Sequence, residues 1–322
     1  MAAPTPHPFL RLRISVWGVL TAAGFLAGLG TLAGFFGRHA WWLDLGSHFR
    51  PQYTMLFAAL ALGCAAARRW PAAGGALALA LLNGALLLPF LPLRPSLPPA
   101  PGGLRVMLIN VNTERGRPDL VQAAVEREQP DVLVLEEISG RWLVALAGLA
   151  TGFPHRVQDA REDNFGIALW SRRPWSEARV IALGDAGVPS IRATLPLRGT
   201  SVCVLATHPL PPGGPAYSRY RNGQLAEIAD FVCARPEPVL VVGDLNVTPW
   251  SPYFRDLLRA TGLHNSSTGR GLHGSWPAWL PLSRIPIDHV LHDPRLAVRD
   301  KRVGDFVASD HLPVVVDLDL AM

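Results

Sequence analysis

Acidic residues are all but missing from the first third of the chain: up to residue 100 only Asp44 carries a carboxylate, against seven arginines and no lysine. From there on the balance is 23 Lys plus Arg against 24 Asp plus Glu, so the net charge of +5 belongs to the first third. The remainder is close to neutral and shows no Lys/Arg stripe, which removes the simplest case for a nucleic-acid-binding surface. That exclusion is partial, because acids that hold a metal are neutralised by it and leave a mildly basic remainder. Cysteine is scarce too. Cys64, Cys203 and Cys233 have no ligand spacing and read as small buried residues.

What the first third does have is apolar runs, at about 14–36, 53–69 and 72–93, the first an uncharged stretch of the length a hydrocarbon core requires. Three such runs in series favour an anchor over a signal peptide. A soluble hairpin of the second and third would need a polar face that neither carries. Residues 1–93 are therefore expected to form a three-helix transmembrane anchor, with Arg68-Arg69-Trp70-Pro71 as a charged turn at an interface. Arg11 and Arg13 share one side with Arg68 and Arg69, opposite Arg38, Arg50, Arg94 and Asp44. The positive-inside rule then places the N-terminus in the cytoplasm and the rest of the chain outside it. The spans hold no intramembrane charge, so a transporter or channel has no ion path. Residues 94–103, within the Pro-rich stretch Pro92 to Gly103, read as a stiff linker.

From residue 104 onward the pattern changes to short branched runs. Leu104–Val111, Val132–Leu135, Ile167–Trp170, Val188–Leu195, Val202–Ala206, Val239–Val242, Val290–Leu291 and Val314–Leu318 read as strands. Asp119–Glu128, Gln224–Ala234 and Pro252–Ala260 read as helices. Many strands with few helices between them imply more than one sheet, and an α/β sandwich of two packed sheets with outer helices fits best.

Polar knots sit at the mouths of these strands. Gly243-Asp244-Leu245-Asn246 follows one apolar run, Ser309-Asp310-His311 precedes another, and Leu135-Glu136-Glu137-Ile138 and Ile287-Asp288-His289-Val290 add two more carboxylates. Gly, Asp and Asn are ordinary turn residues, so each knot alone reads equally as a turn. Four in order at strand ends, where an α/β fold exposes chemistry, point to a site.

The ordered set of Asn110, Glu137, Thr207-His208, Asp244 with Asn246, Asp288, and Asp310 with His311 resembles the endonuclease/exonuclease/phosphatase superfamily across about residues 104–320. The resemblance implies a four-layer α/β sandwich and metal-dependent cleavage of a phosphate ester. The apolar runs, together with Gly-Asp-Leu-Asn-Val-Thr-Pro-Trp250-Ser and Gly-Ser275-Trp276-Pro, resemble a bacterial membrane-anchored branch. That implies the inner membrane, with the catalytic domain on the periplasmic side.

Phosphoester hydrolysis needs charge neutralisation on the phosphoryl oxygens, a positioned water and a stabilised leaving oxygen. By resemblance Glu137, with Asp310 and Asn110, holds Mg²⁺ or Mn²⁺, hard cations that prefer carboxylate oxygen. Asp244 orients or deprotonates the attacking water and Asn246 holds it or a phosphoryl oxygen. His311 contacts the phosphate or transfers a proton, with Asp288 fixing its tautomer, and His208 donates to a non-bridging oxygen. Asn112, on the same strand face as Asn110, stands where some relatives carry Asp, which puts a second metal position in doubt and leaves Asn112 as a substrate-binding residue. Asn164 is expected at the substrate, and Arg221 either grips an anion or begins a solvated helix. Trp250, Trp276 and Trp279 are expected near the mouth, whereas His289 and His292 read as surface or packing residues. The substrate is a nucleic acid or a phospholipid headgroup, the bilayer is a partner and no obligate protein partner is evident. A membrane-anchored binding module that keeps the fold is the competing reading, but such a module has no need of the whole catalytic set.

Overall fold

Valine, leucine and isoleucine crowd the expected strands, and all of those segments are extended in the computed structural model, which describes residues 15–321. The strands are β1 (Leu104–Asn110), β2 (Val132–Glu136), β3 (His155–Asp159), β4 (Ile167–Ser171), β5 (Glu177–Ala182) and β6 (Pro189–Leu197). They continue as β7 (Thr200–Thr207), β8 (Val239–Asp244), β9 (His264–Asn265), β10 (Asp288–His292), β11 (Leu296–Val303) and β12 (Val314–Leu320). They build two six-stranded sheets, ordered β11-β12-β1-β2-β4-β3 and β5-β6-β7-β8-β10-β9. Each is mixed, with one parallel pair near its centre, β1 with β2 and β7 with β8.

Strand alternation sorts the core into layers. Leu104, Val106 and Leu108 of β1 face the second sheet and pack with Val204, Leu240 and Val242. Met107 and Ile109 face outward, where Val121, Val125 and Trp142 cover them from helices Pro118–Glu128 and Gly140–Ala145. On the far side, Leu205, Val241 and Leu291 are covered by Leu225 and Ile228 of helix Pro215–Cys233 and by Phe254 and Leu257 of helix Pro252–Thr261. The result is the expected helix-flanked sandwich of two packed mixed sheets.

The N-terminal third departs from expectation. One helix, Val16–Phe36 with its 3-10 end, is long and apolar enough to cross a membrane: its 21 residues span about 31 Å. A helix of this kind is either an anchor or a signal sequence. The second and third expected spans fold as helices Arg50–Ala66, 17 residues, and Trp70–Ala85, 16 residues, each only about 25 Å long. The second begins with a buried arginine, and Leu88–Phe90 closes the third as a separate 3-10 turn. The three-crossing anchor is thereby corrected to one candidate crossing, and the periplasmic placement that counted on three crossings goes with it. Arg11, Arg13 and Ile14, which entered that argument, lie outside the described residues.

Two smaller corrections follow from packing. The Pro-rich stretch is not a free spacer, because Arg94 N donates to Gly269 O at 2.8 Å and Leu97 N to Arg299 O at 2.9 Å, which lays it along the sandwich. Cys233, unlike Cys64 and Cys203, is exposed, since it falls at the last turn of its helix.

Candidate active site

The ends of β2 and β8 come together where the two sheets face each other. Glu136, fully buried, closes β2 and accepts hydrogen bonds from Asp244 N at 3.0 and 3.2 Å on its two oxygens. Burial, and then the neighbouring charges of Asp244 and Asp288, hold this carboxyl well above the usual range. Glycine at 243 is demanded by the same junction: a Cβ there would lie 1.9 Å from Thr207 O and 2.7 Å from Glu136 Oε1. Past Asp244 the chain turns through Asn246, whose φ is +50°. Asn246 N donates to Asp244 Oδ1 at 2.8 Å and its side-chain Nδ2 to Pro209 O at 2.9 Å.

Antiparallel pairing of β10 with β8 sets Asp288 opposite Asp244. His311 reaches the pair from the loop before β12, with Nδ1 2.9 Å from Asp288 Oδ2, an oxygen that also accepts from the Ser275 hydroxyl. Ser309 Oγ accepts from His311 N at 3.1 Å and donates to Asn110 O at 2.7 Å, which fixes the loop to the end of β1. His311 Nε2 and His208 Nε2 each stand 3.7 Å from Asp244 Oδ2. Burial alone would lower the His311 pKa, but the Asp288 carboxylate and its hydrogen bond prevail and raise it to about 10. Burial likewise opposes ionisation of Asp288, yet the His311 charge and the bonds from His311 and Ser275 hold its pKa below the ordinary value. Asp244, desolvated and facing Asp288, is pushed well above its ordinary range, and burial followed by the His311 charge drives His208 down to about 3. By spacing alone Asp244, Asp288 and His311 could hold a metal ion, their ligand atoms lying within 4.8 Å of one another.

A second network adjoins the first. Glu137 leaves β2 with φ at +58°, a conformation a branched-off glutamate adopts only under constraint, and this turns its carboxylate away from the buried side that Glu136 takes. Asn110 Nδ2 donates to Glu137 Oε1 at 2.9 Å, and Thr113 binds the same residue through its amide and hydroxyl. Asn112 Nδ2 donates to Asp310 Oδ1 at 2.6 Å while Trp276 Nε1 donates to Oδ2 at 3.2 Å. Glu137 and Asp310 thus offer hard oxygen ligands beside a third group, the Asn110 amide, that can supply one more. Burial raises the Glu137 pKa, with the Asp310 charge adding to the shift. Two carboxylates beside a neutral amide oxygen are a donor set suited to a divalent ion.

Both networks line one cavity of about 640 Å³, which Asn164, Phe165, Tyr217 and Ile287 extend. Residues 107–311 match the Endonuclease/Exonuclease/phosphatase family, well over half of the 322 residues. The chain belongs to that family. Members are metal-dependent phosphoesterases and nucleases, and the chain is a hydrolase of ester bonds by the same membership. An endonuclease/exonuclease/phosphatase from Beutenbergia cavernae is 25% identical with a TM-score of 0.54, the match covering 68% of this chain and 72% of that one. The 3′ phosphatase NExo from Neisseria, bound to product DNA hairpin, is 21% identical at a TM-score of 0.55, covering 67% and 99%. D. rerio TDP2 complexed with single strand DNA product is 16% identical at 0.56, covering 67% and 99%. The last two show likeness of fold alone. No curated protein matches the chain.

Within this family architecture the cavity collects Glu137, Asn164, His208, Asp244, Asn246, Asp310 and His311. Asp288 and Asn110 stand behind them. Two expected substrate residues belong elsewhere. Asn112 lies beyond the end of β1 with φ at +54°, so strand alternation does not apply to it, and its amide is engaged by Asp310. Arg221 is fully buried inside helix Pro215–Cys233, which starts nine residues before the expected Gln224 because Pro215 opens it. Its Nη2 pairs with Asp44 Oδ2 at 2.7 Å and its Nη1 donates to Asn246 O at 3.0 Å.

Of the tryptophans, Trp276 lines the cavity and Trp279 is exposed, while Trp250 is buried, its Nε1 donating to Leu86 O at 3.0 Å. His289 and His292 are buried packing residues. Sequence reasoning missed Glu136 as the tie between sheets, and Ser275 and Thr113 as hydrogen-bond partners. It also missed Leu45, His48 and Phe49, which close the cavity from the N-terminal segment. The one available signal was Asp44: a lone acid in an apolar third has to meet a cation if it is buried.

Proposed function

We propose that the chain is a divalent-metal-dependent phosphoesterase held at a membrane by its N-terminal helices. The observation that carries the hydrolytic reading is the Asp288–His311–Asp244 relay lying in the same cavity wall as Glu137 and Asp310. Glu137 and Asp310, with Asn110 beside them, would hold Mg²⁺ or Mn²⁺, which when bound neutralises the phosphoryl oxygens and the departing oxygen. Asp244 orients the attacking water and takes its proton as the new P–O bond forms. Asp288 fixes the His311 ring through Nδ1, leaving Nε2 to meet the phosphate or return a proton to the leaving alcohol as its P–O bond breaks. His208 is neutral and lines the cavity, with Nε2 3.7 Å from Asp244 Oδ2, so that nitrogen is placed to serve a phosphoryl oxygen. Asn246, with one amide hydrogen engaged by Pro209 O, retains its Oδ1 for the water, and Asn164 lies against substrate.

Membrane attachment is supported by the helices' surfaces. Phe25, Leu26, Leu29, Leu62, Leu77 and Leu81 are exposed on them, and large apolar side chains clustered on one segment favour a membrane contact. An anchor fits better than a cleaved signal sequence, because Arg50 Nη1 donates to Thr31 O at 2.9 Å and Asn83 Nδ2 to Thr31 Oγ1 at 3.1 Å. Removal of the first helix would take one hydrogen-bond partner from each of two buried polar groups, which keep Asn83 Oδ1 and Leu79 O.

The test is hydrolysis of bis(p-nitrophenyl) phosphate by the full chain in detergent, with Mg²⁺, Mn²⁺ or EDTA. EDTA should abolish turnover, and Asp244→Asn and His311→Ala should each lower kcat by about 10²–10⁴-fold. Full activity in both variants would overturn the assignment.

A further inference from the structure

The cavity has one wall that the hydrolytic machinery does not explain. Leu45, His48 and Phe49 line it together with Asp244 and His311, and they come from the segment that joins the first long helix to the second. This segment is clamped onto the catalytic loop. Asp44 is ion-paired with Arg221, both side chains 1% exposed, and Arg221 in turn holds Asn246 O. His48 Nδ1 lies 2.9 Å from Thr248 Oγ1, two residues beyond Asn246, and Gln52 Nε2 donates to Leu282 O and Arg284 O on the opposite rim. His48 is buried, neutral with a pKa of about 4, and its second ring nitrogen, Nε2, has no partner among the described residues.

The chemistry of the lining narrows what this wall can receive. Among the described residues no arginine or lysine lines the cavity, whereas a polyanion held along several phosphates requires such cations. Apolar groups dominate away from the carboxylates. Leu45, Phe49, Pro211, Tyr217 and Ile285 make up most of that side. At the rim Phe49, Trp279, Leu280 and Leu282 are exposed, and the Gln52 bonds join that rim to the helical segment whose outer face is also apolar.

We propose that residues 44–49 are a specificity-determining wall of the active site, selecting a phosphoester that carries an aliphatic chain, with Leu45 and Phe49 receiving the chain and His48 pinning the wall to Thr248. The proposal rests on the phosphoesterase reading above and deepens it. It makes the helical segment part of the site, so that the substrate is an amphiphile entering from the apolar rim.

The experiment uses the full chain in nanodiscs and a homologous series of p-nitrophenyl phosphodiesters whose second ester is methyl, butyl or hexyl. The reacting bond and leaving group are constant, and only the chain grows. Burial of each methylene corresponds to a gain of nearly fourfold, from about 0.8 kcal/mol per CH₂, so kcat/KM should rise by about 60-fold from methyl to butyl. Phe49→Ala and Leu45→Ala should flatten that dependence, lowering kcat/KM far more on the hexyl than on the methyl ester, and Phe49→Leu should retain most of it. His48→Ala should raise KM across the series, and His48→Gln should recover part of the loss. Thermal melting of each variant identifies any that fails to fold, and Phe49→Leu then carries the comparison. Equal kcat/KM for methyl and hexyl esters, equal loss on all esters in Phe49→Ala, or faster cleavage of single-stranded DNA than of the hexyl ester would each overturn the proposal. Absence of turnover on every ester with either metal would instead sink the phosphoesterase reading on which it stands.

Discussion

Replacing Asp44 by alanine should destabilise the protein far more than an ordinary loop substitution. The variant leaves the Arg221 guanidinium, 1% exposed, without its carboxylate partner 2.7 Å away. Breaking a buried pair in this way costs about 3–5 kcal/mol. Arg221 keeps its bonds to Asn246 O and Asn222 Oδ1, at 3.0 Å and 2.8–3.0 Å, so the lower end of that range applies, about 3 kcal/mol. At about 2–4 °C per kcal/mol for a protein of this size class, Tm falls by on the order of 10 °C. Replacing both partners, Asp44→Leu with Arg221→Met, removes the uncompensated charge and should recover most of the loss. Activity should not recover in the double variant, because Arg221 no longer holds the carbonyl of Asn246, whose amide braces Asp244. Tryptophan fluorescence during heating reads the first quantity and hydrolysis of bis(p-nitrophenyl) phosphate, well below the lower Tm, reads the second. A Tm within 2 °C of wild type in Asp44→Ala, or a double variant as unstable as the single, would refute the reasoning.

Two other outcomes are expected. Asp288→Asn keeps the size of the side chain but removes the charge that raises His311 to about 10, so kcat should fall by about 10²–10⁴-fold with KM little changed; an unchanged kcat would remove Asp288 from the relay. Lys301, the chain's only lysine, is buried with Nζ 3.0 Å from Ser266 Oγ, and burial pushes it down to about 7. Between that value and the unfolded one near about 10.4 the unfolded chain binds the extra proton, so stability should climb with pH across the window, by up to about 1.4 kcal/mol per unit. Lys301→Met should flatten that slope in urea titrations from pH 7 to 10, and a slope identical to wild type would count against the burial argument.

What the sequence disclosed follows from how burial writes itself into side chains. Central strands such as β2, β4 and β8 are buried on both faces and read as unbroken apolar runs, so their ends, and with them Glu137, Asp244 and Asp288, were legible. The outer strands β3 and β5 were not: His155–Asp159 and Glu177–Ala182 have no fully buried residue and carry His, Arg, Gln and Glu. β11 was missed for a similar reason, with Arg299, Asp300, Lys301 and Arg302 in succession. The helix that holds Arg221 begins at Pro215 with exposed Tyr217 and Tyr220, so no apolar period announced its first two turns and the arginine passed for a surface group. The second apolar run was already the shorter one, and the third was long enough in composition but not in helix, because its helix ends at Ala85 and Leu88–Phe90 follows as a separate 3-10 turn with Pro89. Nothing local in Leu45-Gly46-Ser47-His48-Phe49 signals that it folds over a site some 200 residues further on, as its bond from His48 to Thr248 records.

The bond from Asp244 N to Glu136 has an implication for how the activity switches on and off. Glu136 belongs to the first sheet and Asp244 to the second, so Asp244, the carboxylate proposed to activate the water, is hung from the opposite half of the sandwich. A sandwich whose halves have formed but not closed has no weakened version of the site; it has none, because the backbone of Asp244 lacks its brace and Asp288 stays in one half while Glu137 stays in the other. Turnover thereby reports the spacing of the two sheets, and loosening between them would silence the protein while every strand remained intact.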